Sequence, residues 1–408
     1  MLYNIPYYYS QFTCTGSSCK DTCCKGWRIG IDEKSYRRYM QVPGAFGERL
    51  RRGIDHRDRS FRLKDRACTL LDEEGLCWIQ KELGKRAMCQ TCRLYPRHRE
   101  DYGELQEMML SLSCPEAARL ILTDCTQGAC IQWQKPEEAA EERADSVSEG
   151  DNGTEEVCDP QKLHCFEEIR LAMMCIIKNR SIPWNQRLAM ILAYAHDFQR
   201  HMDQDGPEAD LNQLVERWNR RYLAPEAVSA FAEKLKPWQG RDHEQMLRIC
   251  AWMRDLQKLE PVLACWKQKQ GRICTALYHQ ESPASYRKLE QAFGKAAADL
   301  EAAWENLVLY FLRTWLLGAV YDDDIYGKVK LTVFSSLVIR EWCLFQYRKT
   351  GRIRERELAA AAYRYSREVE NSDANLEMLE GRLADSPLYS LSSMLTVLCG
   401  RMDERECG

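Results

Sequence analysis

The run LHCFEEIRLAMMCII, residues 163–177, decides the fold. Its side chains Leu163, Phe166, Ile169, Met173, Ile176 and Ile177 recur at intervals of three and four residues. That is the period of one face of an α-helix, not the strict alternation of a half-buried strand. The same spacing returns in Leu188, Ile191, Leu192 and Ala195, and over the long stretches 300–320 and 327–348. Ser282-Pro283, Gly271 and Gly351 punctuate the pattern as helix boundaries do. Residues 161–408 therefore read as an all-α domain of roughly eight to ten helices. No repeat at a solenoid period is present, and strand-like alternation is scarce, so the fold class is mainly α.

Upstream the pattern breaks. Residues 135–156, KPEEAAEERADSVSEGDNGTEE, carry nine acidic against two basic residues and almost nothing apolar. Such a segment cannot bury enough surface to offset its ordering entropy, so residues 131–160 read as an acidic, mobile linker. Residues 1–130 then form an irregular, cysteine-rich, metal-binding domain. The whole chain has 408 residues, 20 cysteines and a net charge of −3, which excludes a polycation built for nucleic acid. The opening Met1-Leu2-Tyr3-Asn4-Ile5-Pro6 lacks the basic and apolar regions of a signal peptide. The most apolar window, Leu307 to Val320, is short and contains Arg313, so no membrane span is expected. A reducing cytoplasm is the expected location, and there dense cysteines favour metal or redox chemistry over disulfides.

Nine cysteines lie between Cys14 and Cys114. Cys14, Cys19, Cys23 and Cys24 cluster first, followed by Gly26-Trp27-Arg28-Ile29-Gly30-Ile31-Asp32. Cys68 and Cys77 come next, then Cys89, Cys92 and Cys114. Thiolates are soft ligands that select zinc, copper(I) or iron–sulfur centres, and four suffice for one zinc or one [4Fe–4S] cluster. Only Cys19/Cys23 and Cys89/Cys92 have the tight spacing of zinc modules, so spacing leaves zinc and iron open. Packing alone does not account for an adjacent Cys23-Cys24 pair inside such a cluster. The later cysteines Cys165, Cys175, Cys250, Cys265, Cys274, Cys343 and Cys399 sit in apolar helical stretches and read as buried thiols. Cys19-x3-Cys23 followed at once by Cys24 does not meet the C-x3-C-x2-C of radical enzymes. Nucleotide-binding glycine loops, H-E-x-x-H and G-x-S-x-G are likewise absent.

The runs TCTGSSCKDTCCKGWRIGID (13–32), ACTLLDEEGLCWI (67–79), TCRLYPR (91–97) and SLSCPEAARL (111–120) together resemble the flagellin lysine-N-methylase family. The cysteine region of that family is shared with a wider group of zinc- or iron-chelating proteins. LVLYFLRTWLLGAVYDDD (307–324) and YGKVKLTVFSSLVIREW (326–342) extend the resemblance into the helical part. It implies methyl transfer from S-adenosylmethionine to lysine ε-amines of flagellin or a similar surface protein. It also implies a cysteine-bound [4Fe–4S] cluster, with zinc the alternative. Cys14, Cys19, Cys23, Cys24, Cys68, Cys77, Cys92 and Cys114 fall on the family cysteines, of which a subset of four would serve each cluster. Cys89 does not match and reads as an extra thiol. Thr69-Leu70-Leu71 also departs from the family's C-P-F-L run without removing a thiol.

A lysine must lose its proton before it can accept a methyl group, because its pKa in water is about 10.4. Aromatic faces and carboxylates would hold a cationic donor and a lysine in line. Tyr95, beside Cys92, and Asp21 and Asp32, flanking the double cysteine, are the candidate catalytic residues. Each has a structural alternative: a packed Tyr95-Pro96 turn, a loop cap at Asp21, and the N-cap of a helix starting near Lys34 at Asp32. The arginine-rich stretch Arg49–Arg66 reads as a solvated face. With only Phe61 among its basic residues, it offers little stacking for single-stranded nucleic acid. The competing function is a non-enzymatic zinc- or iron-binding or delivery protein whose helical domain recruits a partner.

Overall fold

A computed structural model of the chain describes residues 2–19, 21–126, 130–133 (backbone only), 158–206 and 210–400. Most of the segment read as an acidic linker lies outside the described residues. The N-terminal part contains strands β1 (Leu2–Pro6), β2 (Ile54–Asp55), β3 (Ser60–Phe61), β4 (Leu63–Lys64), β5 (Ala67–Cys68), β6 (Arg97–Asp101), β7 (Leu105–Leu110) and β8 (Cys130–Trp133). Its helices are α1 (Glu33–Met40), α2 (Gly44–Arg52), α3 (Trp78–Leu83), α4 (Gln90–Leu94) and α5 (Pro115–Leu122). β2 pairs with β3 and β4 with β5 as two-stranded ladders, while the other four strands form one sheet in the order β6-β7-β1-β8. β1 runs parallel to β7 and antiparallel to β8. Sequence periodicity misses this sheet for a physical reason. Every residue of β7 is buried, so its apolar positions do not alternate.

The remainder is helical, as the periodicity predicts. Helices α6 (Pro160–Lys178), α7 (Trp184–Asp205), α8 (Leu211–Leu223), α9 (Ala227–Leu235), α10 (Asp242–Asp255) and α11 (Trp266–Cys274) come first. They are followed by α12 (Pro283–Ala296), α13 (Glu301–Trp315), α14 (Ala319–Asp322), α15 (Ile325–Thr350), α16 (Glu355–Val369), α17 (Asp373–Asp385) and α18 (Leu391–Cys399). Among the described residues these are more numerous than the roughly eight to ten expected. The apolar stretch 300–320, for example, is cut by a three-residue turn at Leu316–Gly318. α15 is apolar around most of its circumference and is buried accordingly, packed against α7, α13, α16 and α17. No helix among the described residues is long and apolar enough to cross a membrane.

Two hydrophobic cores organise these elements. The smaller gathers Ile29, Ile31, Tyr39, Leu50, Ile54, Phe61, Leu70 and Ile79 with Cys68 and Cys89. The larger joins the helices to residues from the beginning of the chain and from 102–122. α5 packs against α13 and α16, so it belongs physically to the helical body although it lies in the cysteine-rich stretch. The boundary between cores therefore falls inside residues 1–130. The arginines of 49–66 serve this small core in part. Arg51 donates to the Val42 carbonyl at 2.8 Å, Arg62 to Ile54 at 2.9 Å, and Arg66 to Val262 at 2.9 Å.

A thiol-lined cavity beside an aromatic cleft

The short elements of the small core exist to present sulfur. Cys24 accepts at its carbonyl from the Cys68 amide at 2.8 Å, which fastens the double-cysteine turn to β5. Cys77, Cys89 and Cys114 stand at the N-caps of α3, α4 and α5. Backbone N–H groups of the first helical turn face their sulfurs; burial outweighs these bonds at Cys77 and Cys114 and raises both, whereas Cys89, also bonded by Cys92, is lowered. Cys92 follows one turn into α4. The result is a small enclosed cavity of about 40 Å³ lined by Cys23, Cys24, Cys68, Cys77, Cys89 and Cys92.

The structure thus brings five of the eight motif cysteines around one space. Cys114, with Cys14, lies near the outer side of Cys23 and raises it further by charge repulsion. Cys14 is exposed and Cys19 half-exposed, and neither lines the cavity. Cys89, off the family motif, does line it. Its tight spacing with Cys92 was the sequence signal for it, one that matching to the family cysteines sets aside.

The thiols are charged against one another. In the pair Cys23/Cys24, Cys23 donates to Cys24, which favours thiolate at Cys24 and pushes Cys23 up. Cys89 and Cys92 repeat the arrangement, with Cys89 lowered and Cys92 raised. Burial pushes Cys68 up to about 12. A cation in the cavity would relieve both the repulsion and the desolvation, and six soft donors suit a soft metal. Among the described residues no three Cys, His, Asp or Glu side chains already stand in coordinating geometry, so the thiols would have to draw in around such an ion.

Trp27 and Tyr95 form one wall of this cavity and also face a second, open cleft of about 770 Å³. Their rings pack 5.6 Å apart, and the Trp27 indole donates to the Cys23 carbonyl at 2.7 Å. The cleft is also lined by Tyr3, His98, Glu100, Trp315, Glu370 and Asp373. Its size is that of a small-molecule site, and it mixes aromatic faces with carboxylates.

A chain of hydroxyls connects the two spaces. Tyr95 Oη lies 2.9 Å from Ser113 Oγ, and Ser113 Oγ lies 2.6 Å from Ser111 Oγ. Ser111 donates to Glu370 Oε2 at 3.1 Å, and Tyr310 donates to the same oxygen at 2.8 Å. Each hydroxyl has a single proton. With Ser111 committed to Glu370, Ser113 must donate to Ser111 and Tyr95 to Ser113. Burial raises the Glu370 carboxyl above its ordinary range, against the bonds from Tyr310 and Ser111. Burial likewise raises Tyr95, with the positive charge of Arg367 working against it.

Of the sequence candidates, Tyr95 lies in the cleft wall and the two aspartates do not. Asp32 caps α1 by accepting from Ser35 N at 2.8 Å, and accepts from Gln90 N at 2.8 Å at the start of α4. Asp21 pairs with buried Arg367 at 2.7 Å, and Arg367 also donates to the Ser113 carbonyl at 2.9 Å. Sequence reading missed Glu370, Trp315 and Arg367. Glu370 and Arg367 lie in the helical part without a motif, Trp315 lies in the run 307–324 that carries the resemblance but was given no role there, and all three reach the site through tertiary packing.

Comparison with known proteins bears on the helical part first. A family model described as the FliB lysine N-methylase C-terminal domain matches residues 170–397, more than half of the chain. The flagellar biosynthetic protein FliU of Salmonella muenchen is 33% identical over 133 residues, covering 29% of this chain and 76% of its own. The lysine-N-methylases of Salmonella typhimurium and Salmonella choleraesuis are each 35% identical over 133 residues, 29% of this chain and 32% of theirs. The chain thus matches about a third of the length of those two enzymes. No solved structure matches.

Proposed function

The chain belongs to the FliB lysine N-methylase family, and from that premise we propose that it transfers methyl groups from S-adenosylmethionine to lysine ε-amines of flagellin or a similar surface protein. The observation that carries this reading is the cleft that shares the Trp27–Tyr95 wall with the thiol cavity and opens onto Glu370. The donor supplies an activated methyl on a sulfonium. The lysine nitrogen forms the new C–N bond as the C–S bond breaks, and the proton of the former ammonium must go elsewhere.

The residues of the cleft suit each requirement. The faces of Trp27, Tyr95 and Trp315 attract cations, whether sulfonium or ammonium. Glu370, whose carboxyl burial raises above its ordinary range, is the candidate to accept the lysine proton. The chain from Tyr95 through Ser113 and Ser111 donates toward Glu370, so it holds that carboxylate in place and carries protons to it rather than away. Four of Cys23, Cys24, Cys68, Cys77, Cys89 and Cys92 would hold a [4Fe–4S] cluster, or zinc in the alternative. Its proximity to Tyr95 and Trp27 would fix the wall of the cleft.

The test is mass spectrometry of purified flagellin incubated with the protein and S-adenosylmethionine. Lysine-containing peptides heavier by one methyl or more are expected, and an unchanged mass overturns the reading for flagellin. Iron, acid-labile sulfide and zinc analysis of the same protein distinguishes the cluster from zinc. Methyl transfer at full rate from protein free of both metals would overturn the metal dependence.

A further inference from the structure

Cys250 and Cys274 lie in the helical body, where sequence reading treats cysteines as inert core. The structure separates these two from the rest. Cys250 on α10 shares a hydrogen bond with Cys274 at the end of α11, and the two helices pack together. Cys250 Sγ is 3.9 Å from His279 Nε2, and Gln257 donates to Cys274 Sγ at 3.6 Å. Arg254 reaches the same His279 nitrogen at 3.1 Å. Arginine can only donate, so that nitrogen accepts and the proton of a neutral imidazole sits on Nδ1. His279 and Arg254 are exposed, whereas both sulfurs lie one layer beneath them.

The Cys274 hydrogen bond and the Arg254 charge lower Cys250 despite burial, and His279 Nε2, by accepting from Arg254, holds that guanidinium beside the sulfur. Burial raises Cys343 and Cys165 instead. A thiolate next to a cation, with a second thiol touching it, is the arrangement of an attacking and a resolving cysteine.

We propose that Cys250 and Cys274 form a peroxide-reactive dithiol, in which Cys250 attacks and Cys274 resolves. The Cys250 sulfur forms a bond to one peroxide oxygen as the O–O bond breaks, and the departing oxygen takes a proton to leave as water. Cys250 is then a sulfenic acid. The Cys274 sulfur attacks it, the S–S bond forms, the S–O bond breaks, and the second water leaves with the Cys274 proton. Two thiols are oxidised by two electrons and one hydrogen peroxide is reduced to two waters. The bond would tie α10 to the end of α11. The loop between these helices presents Val262 to Arg66 at 2.9 Å and to Glu368 at 2.7 Å, so it meets both the small core and α16.

The full-length protein as purified is titrated with hydrogen peroxide, alkylated, digested and mapped by mass spectrometry. The expected result is a Cys250–Cys274 cross-link at peroxide concentrations where the exposed Cys175 and Cys265 still alkylate. In Cys274→Ser a dimedone adduct is expected on Cys250. His279→Ala or Arg254→Ala should slow its formation roughly tenfold. Both cysteines remaining alkylatable while Cys175 and Cys265 oxidise overturns the proposal, as does a cross-link to any other partner. The wild-type map needs no variant to fold and is independent of methyl transfer.

Discussion

Tyr95 stands where the two spaces of the site meet, and its hydroxyl is the first of three in a row. Tyr95→Phe keeps the ring between Trp27 and the thiols and removes only the proton donor to Ser113. If the chain carries a proton, kcat should fall by about 10- to 100-fold with KM little changed, and the pH profile of kcat should shift. Glu370→Gln preserves the acceptor for Tyr310 and Ser111 but removes the base, and a kcat loss of about 100-fold or more is expected. Steady-state kinetics on both variants checks this. A loss confined to KM, or an unchanged pH profile, would assign the two residues to packing. At this scale the sequence was readable only in part. Tyr95 announces itself beside Cys92, whereas Glu370 lies in REVENS without any pattern. It acquires its role from Tyr310 and Ser111, 60 and 259 positions away.

Short elements around the thiols depend on a few caps and close approaches. Asp32 serves the starts of both α1 and α4, so Asp32→Ala should cost about 1–2 kcal/mol, read as a drop in Tm. Because α4 carries Cys92 just after Cys89, metal content should fall with it. Gly26 has φ +94°, and a Cβ there would come within 2.7 Å of the Val262 carbonyl oxygen. Gly26→Ala should therefore loosen the contact between the cysteine turn and the α10–α11 loop. Increased proteolysis within residues 13–32 and 256–265, mapped by mass spectrometry, is the expected sign. The helices of residues 161–408 were legible because a buried helical face repeats its apolar residues every three or four positions. The sheet was not, since β7 is buried throughout and β1 is five residues long. The cysteine spacing marked the module, and the resemblance added Cys114 to it, although Cys114 and α5 belong to the larger core and α5 packs with α13 and α16.

At the scale of the whole molecule, buried ion pairs hold distant segments together and make the fold sensitive to acid. Glu107 on β7 accepts two bonds from Arg170 on α6, both 2.8 Å, and one from Asn4 on β1 at 2.7 Å. Burial alone would raise its carboxyl, and Arg170 outweighs that and holds it below the ordinary range. Asp255 is lowered likewise, with bonds from Lys258, Arg382 and Tyr389 outweighing burial. A carboxyl lowered in the folded state contributes stability that is fully present above its unfolded pKa, about 4, and is lost as pH falls through the folded value. Glu107 and Asp255 should thus lower Tm as pH falls below about 4, while the raised carboxyls of Glu368 and Glu370 lower it as pH rises toward 7. Glu107→Gln leaves the buried Arg170 charge uncompensated, so a loss of about 3–5 kcal/mol near neutrality is expected, with a flatter acid limb. Thermal melts across that range measure both.

Arg367 reaches back 346 positions to Asp21 and 254 to Ser113 and joins the two. A ribosome adding 5–20 residues per second needs on the order of tens of seconds to travel that distance. For all that time the cysteine turn is outside the exit tunnel without the guanidinium that anchors it. β1 waits as well, until β7 and β8 follow it out. Nascent chains therefore carry the thiols of residues 14–24 unanchored until α16 is made, and a helix made long afterwards closes the site that the cysteine turn begins.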